Sequence, residues 1–114
     1  MNETRASLDF LKRKNYICEV VEQKLRHSVN KKDLFNIFDI LAINPDKLIT
    51  LGVQTTSYSN TSARIKKIIN SDKTLPWLKT GNSIQVHGWK DEDNMRCVDI
   101  YLEDNEIKYR NIES

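Results

Sequence analysis

Asp39 stands alone in an apolar run. It opens the stretch DILAINPDKLITLGVQTTS, residues 39–57, in which two β-prone segments flank Asn44-Pro45-Asp46-Lys47. That tetrapeptide has strong turn chemistry, so the stretch reads as a β-hairpin. A four-residue loop at 44–47 pairs Ile43 with Leu48 and therefore Asp39 with Gly52. Alternation then places Asp39, Gly52, Gln54 and Thr56 on one face. Phe38, Ile40, Ala42, Ile49, Leu51 and Val53 fall on the other, which is uniformly apolar. A carboxylate in the middle of an apolar strand is costly to bury unless something binds it. A glycine across the ladder leaves room beside it, and the amide of Gln54 lies on the diagonal. The arrangement is a shallow polar pocket on a sheet. It serves either a bound ligand or a plain Asp39–Gln54 hydrogen bond, and the pattern admits both.

Few other residues offer chemistry. Arg64, Lys66 and Lys67 cluster in SARIKKIIN, and Lys31 and Lys32 flank the entrance to the hairpin. Local basic patches bind phosphate without a high overall charge, although a solvated helix face has the same composition. The net charge is only +2, so no global field demands a polyanion. His27 and His87 have no partners at metal-ligand spacing, which argues against catalytic roles. Trp77 and Trp89 could stack on bases, but tryptophans beside a strand more often complete a core. Asp33 shares the parity of Asp39, yet on one continuous strand, at about 3.3 Å per residue, it lies about 20 Å away. Cys18 and Cys97 sit in apolar runs without CxxC or Cys/His spacing and read as buried thiols.

The elements that must position these groups follow from periodicity and turn signals. Asn2 is a candidate N-cap for a first helix that ends near Lys14, with Leu8, Phe10 and Leu11 giving it an apolar side. YICEVVEQKL is a β-branched run from Tyr16 to about Lys24, and the polar RHSVNKK after it is turn-like. Strands then cover Leu34 to Ile43 and Leu48 to Thr56. A second helix, Thr61 to about Asn70, carries Ile65, Ile68 and Ile69 at burial spacing. SDKTLPWLKTGN reads as a loop, and SIQVHGW and RCVDIYL as two further strands. The order is helix, three strands, helix, two strands: an α+β domain with a mixed central sheet flanked by helices. Residues 1–104 make up one domain, and residues 105–114 read as a polar C-terminal tail.

On these residues the chain resembles the PD-(D/E)xK nucleases, the superfamily of many restriction enzymes and of resolvases. The resemblance spans Asn2 to Trp89 and is carried by DLFNIFDILAI, LITLGVQTTS and the basic ARIKKI. It implies a restriction-endonuclease-like core of helix, three-stranded meander, helix and strands. It matches Asp39 to the metal-binding aspartate, Gln54 to the second acid and Thr56 to the lysine of (D/E)xK. Phe38 stands where the motif has proline. An amide oxygen still ligates Mg²⁺, but one negative charge is lost, so Mg²⁺ or Mn²⁺ should bind weakly through Asp39 and Gln54. Threonine cannot supply the lysine's charge, and Lys66 or Lys67 could replace it from the second helix. Glu22, at the end of the first strand, or Glu3, in the first helix, could restore the acid. The implied activity is metal-dependent cleavage of DNA, branched or otherwise structured, with Arg64, Lys66 and Lys67 on phosphate and with a homodimer to cut two strands. The alternative implied by the missing Glu and Lys is an inactive nuclease fold kept for binding nucleic acid or protein.

Bulk composition narrows the class. With 114 residues, 39% of them hydrophobic and 30% charged, the chain has the composition of a single globular domain. No apolar run approaches the roughly 18 residues of a membrane span. The start, MNETRASLDF, lacks the apolar block of a signal peptide, so a cytoplasmic protein is expected. Richness in Asn, Ile and Lys points to an AT-rich genome, that of a phage or of a small-genome bacterium.

Overall fold

The computed structural model describes residues 1–24 and 31–112. The first helix, α1 (Glu3–Arg13), is capped by Asn2, whose Oδ1 accepts the Arg5 N–H at 3.0 Å. Glu3 in its first turn and Lys12 and Arg13 in its last complement the helix dipole. Asn15, in the left-handed region at φ 69°, turns the chain into β1 (Ile17–Val20). The short strands β2 (Gln23–Lys24) and β3 (Lys31–Lys32) pair with each other as a separate ribbon, followed by β4 (Ile40–Asn44) and β5 (Ile49–Ser57). A 3₁₀ turn at Tyr58–Asn60 leads into α2 (Thr61–Ile69) and α3 (Thr74–Lys79). The chain ends in β6 (Ser83–Asp91), β7 (Asn94–Glu103) and β8 (Glu106–Ile112).

Six of the strands form one mixed sheet in the order β1-β4-β5-β6-β7-β8. All neighbours are antiparallel except β5 and β6, which run parallel and are joined by the crossover through α2 and α3. The two faces are covered by different helices. Phe10 and Leu11 of α1 pack on Ile40, Ala42, Leu51, Val53 and Trp89. On the other face, Ile65 and Ile68 of α2 and Leu78 of α3 pack on Phe38, Ile84, Val86 and Ile100. The fold class is therefore α+β, with a mixed central sheet flanked by helices. No helix among the described residues is long and apolar enough to cross a membrane.

Four expectations are corrected. The run expected to be one strand from Leu34 to Ile43 begins regular pairing only at Ile40, because Leu34 bridges back to Phe38 across a tight turn. Phe35 and Asn36 hold that turn in the left-handed region, at φ 55° and 62°. The loop expected at 71–82 contains α3, where Pro76 sits in the first turn and its missing N–H costs nothing. The expected tail pairs as β8 with β7 over Cys97↔Ile112 to Glu103↔Glu106. It reads as polar because it is an edge strand, fastened by Arg110–Asp99 and Lys108–Glu103 ion pairs. Most of the polar RHSVNKK turn, and His27 with it, lie outside the described residues.

The fourth correction is register. Asn44 pairs with Ile49 and Ile43 with Thr50, so the hairpin is shifted by two residues from the expected Ile43–Leu48 pairing. Asn44 Oδ1 accepts the Lys47 N–H at 3.1 Å, and Leu48, at φ 58° and fully out in solvent, joins the turn. A shift of two preserves which face each side chain takes.

Candidate functional site

The shifted register sets Asp39 directly across from Gln54. The last regular β4–β5 pair is Ile40↔Val53, and at the bend before it the Asp39 N–H reaches Val53 O at 2.8 Å while its carbonyl accepts the Val21 N–H at 2.9 Å. The side chain continues where the ladder stops. Asp39 Oδ2 accepts the backbone N–H of Thr55 at 2.8 Å and the Nε2 of Gln54 at 2.9 Å. The anticipated Asp39–Gln54 hydrogen bond is therefore present, in a buried pair. Asp39 is 5% exposed and Gln54 2%.

Two features keep this pair from being a closed, satisfied contact. Gln54 Oε1 is buried and has no hydrogen-bond partner among the described residues, and an orphaned buried acceptor costs about 1–3 kcal/mol. In addition, carboxylate oxygens of Glu22, Asp33 and Asp39 all lie within 4.8 Å of one another. Burial pushes the Asp39 carboxyl up to about 6. The Thr55 N–H opposes that shift, the Asp33 charge adds to it, Gln54 opposes it, and Glu22 adds a little more.

Asp33 lies much nearer to Asp39 than sequence separation implies. A distance of about 20 Å holds for an extended strand, whereas the left-handed turn folds residues 33 and 39 back together. Glu22 arrives from the other side. Val21 continues the β1–β4 ladder against Asp39, and Gln23 then pairs with Lys32, which leaves Glu22 beside Asp33. Glu3 is not in this group; it belongs to α1, which packs on the opposite face of the sheet. Thr56, two residues beyond Gln54 on the same face of β5, is buried at 7% exposure. Phe38 departs from the expected partition. Its ring lies over Gly52, where an added Cβ would come within 2.5 Å of it, and packs on Trp77 at 4.7 Å between centroids. The bend at 38–39 breaks strict alternation, so Phe38 belongs with α2 and α3, whereas Ile40, Ala42, Ile49, Leu51 and Val53 face α1 as expected.

The basic cluster lies on α2. Ile65 and Ile68 turn inward, Lys66 and Lys67 are exposed, Arg64 is half-buried, and none of the three makes an ion pair among the described residues. His87 is structural. It is fully buried between Ser7 Oγ (2.8 Å from Nδ1) and Gln85 Oε1 (2.9 Å from Nε2), and burial lowers its pKa to about 3. Ser7 also accepts the Trp89 indole N–H at 2.9 Å, and its Oγ lies 3.1 Å from Thr55 Oγ1. This hub was not anticipated, although Ser7 shares the spacing of Phe10 and Leu11 on the inward side of α1. Trp89 completes the core under α1. Trp77 is half-buried, donates to Ser83 O at 2.9 Å, and with the exposed Phe35 walls a groove of about 400 Å³ beside the 34–38 turn. Cys97 is buried, which pushes its thiol up to about 12, and Cys18 is half-buried.

Glu22, Asp33, Asp39 and Gln54 offer only oxygen donors, the ligand class of hard divalent cations. Comparison with known proteins brings no match to a family model, to a curated protein or to a solved structure.

Proposed function

We propose that the chain is a metal-dependent phosphodiesterase acting on DNA, with a variant PD-(D/E)xK site on a restriction-endonuclease-like core. The observation that carries this reading is the pairing of Asp39 with Gln54 on adjacent strands, beside Glu22, with one amide oxygen left over. The order of elements supports it: α1, the antiparallel β1-β4-β5 meander, α2, then β6 parallel to β5. Asp39, Gln54 Oε1 and Glu22 would hold Mg²⁺ or Mn²⁺. When bound, such a cation supplies Lewis acidity for phosphodiester hydrolysis. Arg64, Lys66 and Lys67 neutralise phosphate charge along α2, and Lys66 or Lys67 takes the charge-stabilising role that Thr56 cannot fill. The aromatic walls of the Phe35–Trp77 groove give an unstacked base a surface beside the same turn. A homodimer would let each core cut one strand of a branched substrate.

One observation favours a second reading, an inactive nuclease fold that binds nucleic acid or protein. Asp39 Oδ2 is already engaged by Thr55 and Gln54, which gives the carboxylate a structural duty independent of chemistry. A nicking assay on branched and linear DNA with Mn²⁺, run beside Asp39→Asn, separates the two. Cleavage by the wild type and none by the variant supports the enzyme. DNA binding without cleavage by either supports the module.

A further inference from the structure

We infer that Arg96 is a fixed anchor for DNA phosphate: two neutral side chains hold its guanidinium where α2 meets β7 and β8, and its free N–H donors face a bound strand. The inference rests on the DNA-binding reading above and names the residue on which that binding turns.

Arg96 differs from the other arginines among the described residues. Arg5 pairs with Asp9 and Arg110 with Asp99, whereas Arg13 and Arg64 have no side-chain partner among the described residues. Arg96 alone is both held in place and left without a counter-charge. Its Nε donates to Asn111 Oδ1 at 2.9 Å, and its Nη1 lies 3.4 Å from Ser62 Oγ. A guanidinium carries five N–H donors, so three stay free for a ligand. The rotamer freedom of the side chain is already lost before any ligand arrives, and the planar fork matches a pair of phosphate oxygens.

The sheet sets this group beside the candidate site. Thr56 pairs with Gly88, and Gly88 with Arg96. Arg96 is thus two strands from Thr56, about 10 Å between backbones, on the same face of the sheet. Thr61, at the start of α2, fills the space over Gly88, so Arg96 holds a phosphate next to the site and not at it. Ser62 and Lys66 are four residues apart on α2 and share a side of the helix. The exposed Lys66 therefore continues the positive charge from Arg96 along α2. The acidic β6–β7 turn precedes Arg96 in the chain but leans the other way. Its Glu92 and Asp93 line cavities beside Arg13 and Trp89, on the face that α1 covers. A fixed fork followed by an aligned lysine fits the repeated phosphates of a strand better than a single carboxylate.

The test is fluorescence anisotropy of a labelled DNA duplex over a salt series, on wild type, Arg96→Gln, Arg13→Gln and the double variant Ser62→Ala with Asn111→Ala. Arg96→Gln should lower the salt slope by about 0.9 and weaken binding about eightfold at about 0.1 M salt, the factor that slope gives relative to 1 M. Arg13→Gln, which removes the same charge from the other face, should match wild type. The double variant keeps the arginine but releases it, so binding should weaken with the slope unchanged; its two exposed positions keep the test independent of how well Arg96→Gln folds, which thermal unfolding reads. Unchanged affinity and slope in Arg96→Gln, with wild type binding DNA, overturn the inference and leave the DNA reading intact. Equal losses in Arg96→Gln and Arg13→Gln, or full binding by the double variant, overturn it as well. A wild type that binds no DNA overturns both. Binding that depends on Arg96, with no nicking of any DNA, upholds the inference and removes the enzymatic reading.

Discussion

Replacing Asp39 by Asn should stabilise the protein at neutral pH while abolishing its binding of metal. The folded carboxyl titrates at about 6, against 3.8 for the free side chain. Between those values the folded state holds a proton that the unfolded state has lost. Stability is therefore fully present below pH about 4 and declines as the pH rises through about 6. At pH 8 the ionised carboxylate costs the fold about 3 kcal/mol, since each unit of displacement corresponds to about 1.4 kcal/mol. Asparagine keeps the acceptor for the Thr55 N–H and the Gln54 amide and removes the charge. It turns an NH₂ toward Glu22 and Asp33, which accept it. In chelator at pH 8 the variant should melt roughly 10 °C above the wild type, and the gap should close by pH 4. Saturating Mn²⁺ should raise only the wild type and narrow or reverse the order. Thermal unfolding followed by circular dichroism across pH 4–8 measures all of this. A variant less stable than wild type at pH 8, or a difference independent of pH, would refute the reasoning.

Changing Arg64, Lys66 and Lys67 together to Ala should weaken DNA binding and lower the salt slope by about 0.9 for each phosphate that is no longer neutralised; fluorescence anisotropy over a salt series reads this, and an unchanged slope marks the cluster as a solvated face. Gln54→Glu should tighten Mn²⁺ binding measured by calorimetry, and adding Thr56→Lys should raise nicking; if only the double variant cuts, the natural chain is an inactive nuclease fold. Gly88→Ala should destabilise by about 1–3 kcal/mol in urea titration, because the new Cβ runs into the Thr61 hydroxyl at the start of α2.

The sequence disclosed facing better than distance. The shared face of Asp39, Gln54 and Thr56 was legible even though the hairpin register was off by two, because side chains alternate with a period of two. The slip came from Asn44 and Leu48, whose capping bond and left-handed turn move the four-residue loop from 44–47 to 45–48. Asp33 was missed for a related reason. The chain folds back at Phe35 and Asn36, and a phenylalanine in the left-handed region carries no turn signal. The C-terminal strand was hidden by its composition, since its stability comes from pairing with β7 and from cross-strand ion pairs rather than from an apolar face. The first two helices and the α1 face were legible because amphipathic spacing and the Asn2 cap act locally.

The Thr55 N–H bond to Asp39 means that one atom serves two masters. Oδ2 closes the hairpin beyond its last regular pair, so a side chain without an acceptor at position 39 leaves a backbone donor stranded whatever the chain does for a living. Selection on folding alone therefore narrows position 39 to Asp or Asn. Among descendants of this sequence, an aspartate kept at 39 in place of the more stable asparagine would record that more than the hairpin is under selection.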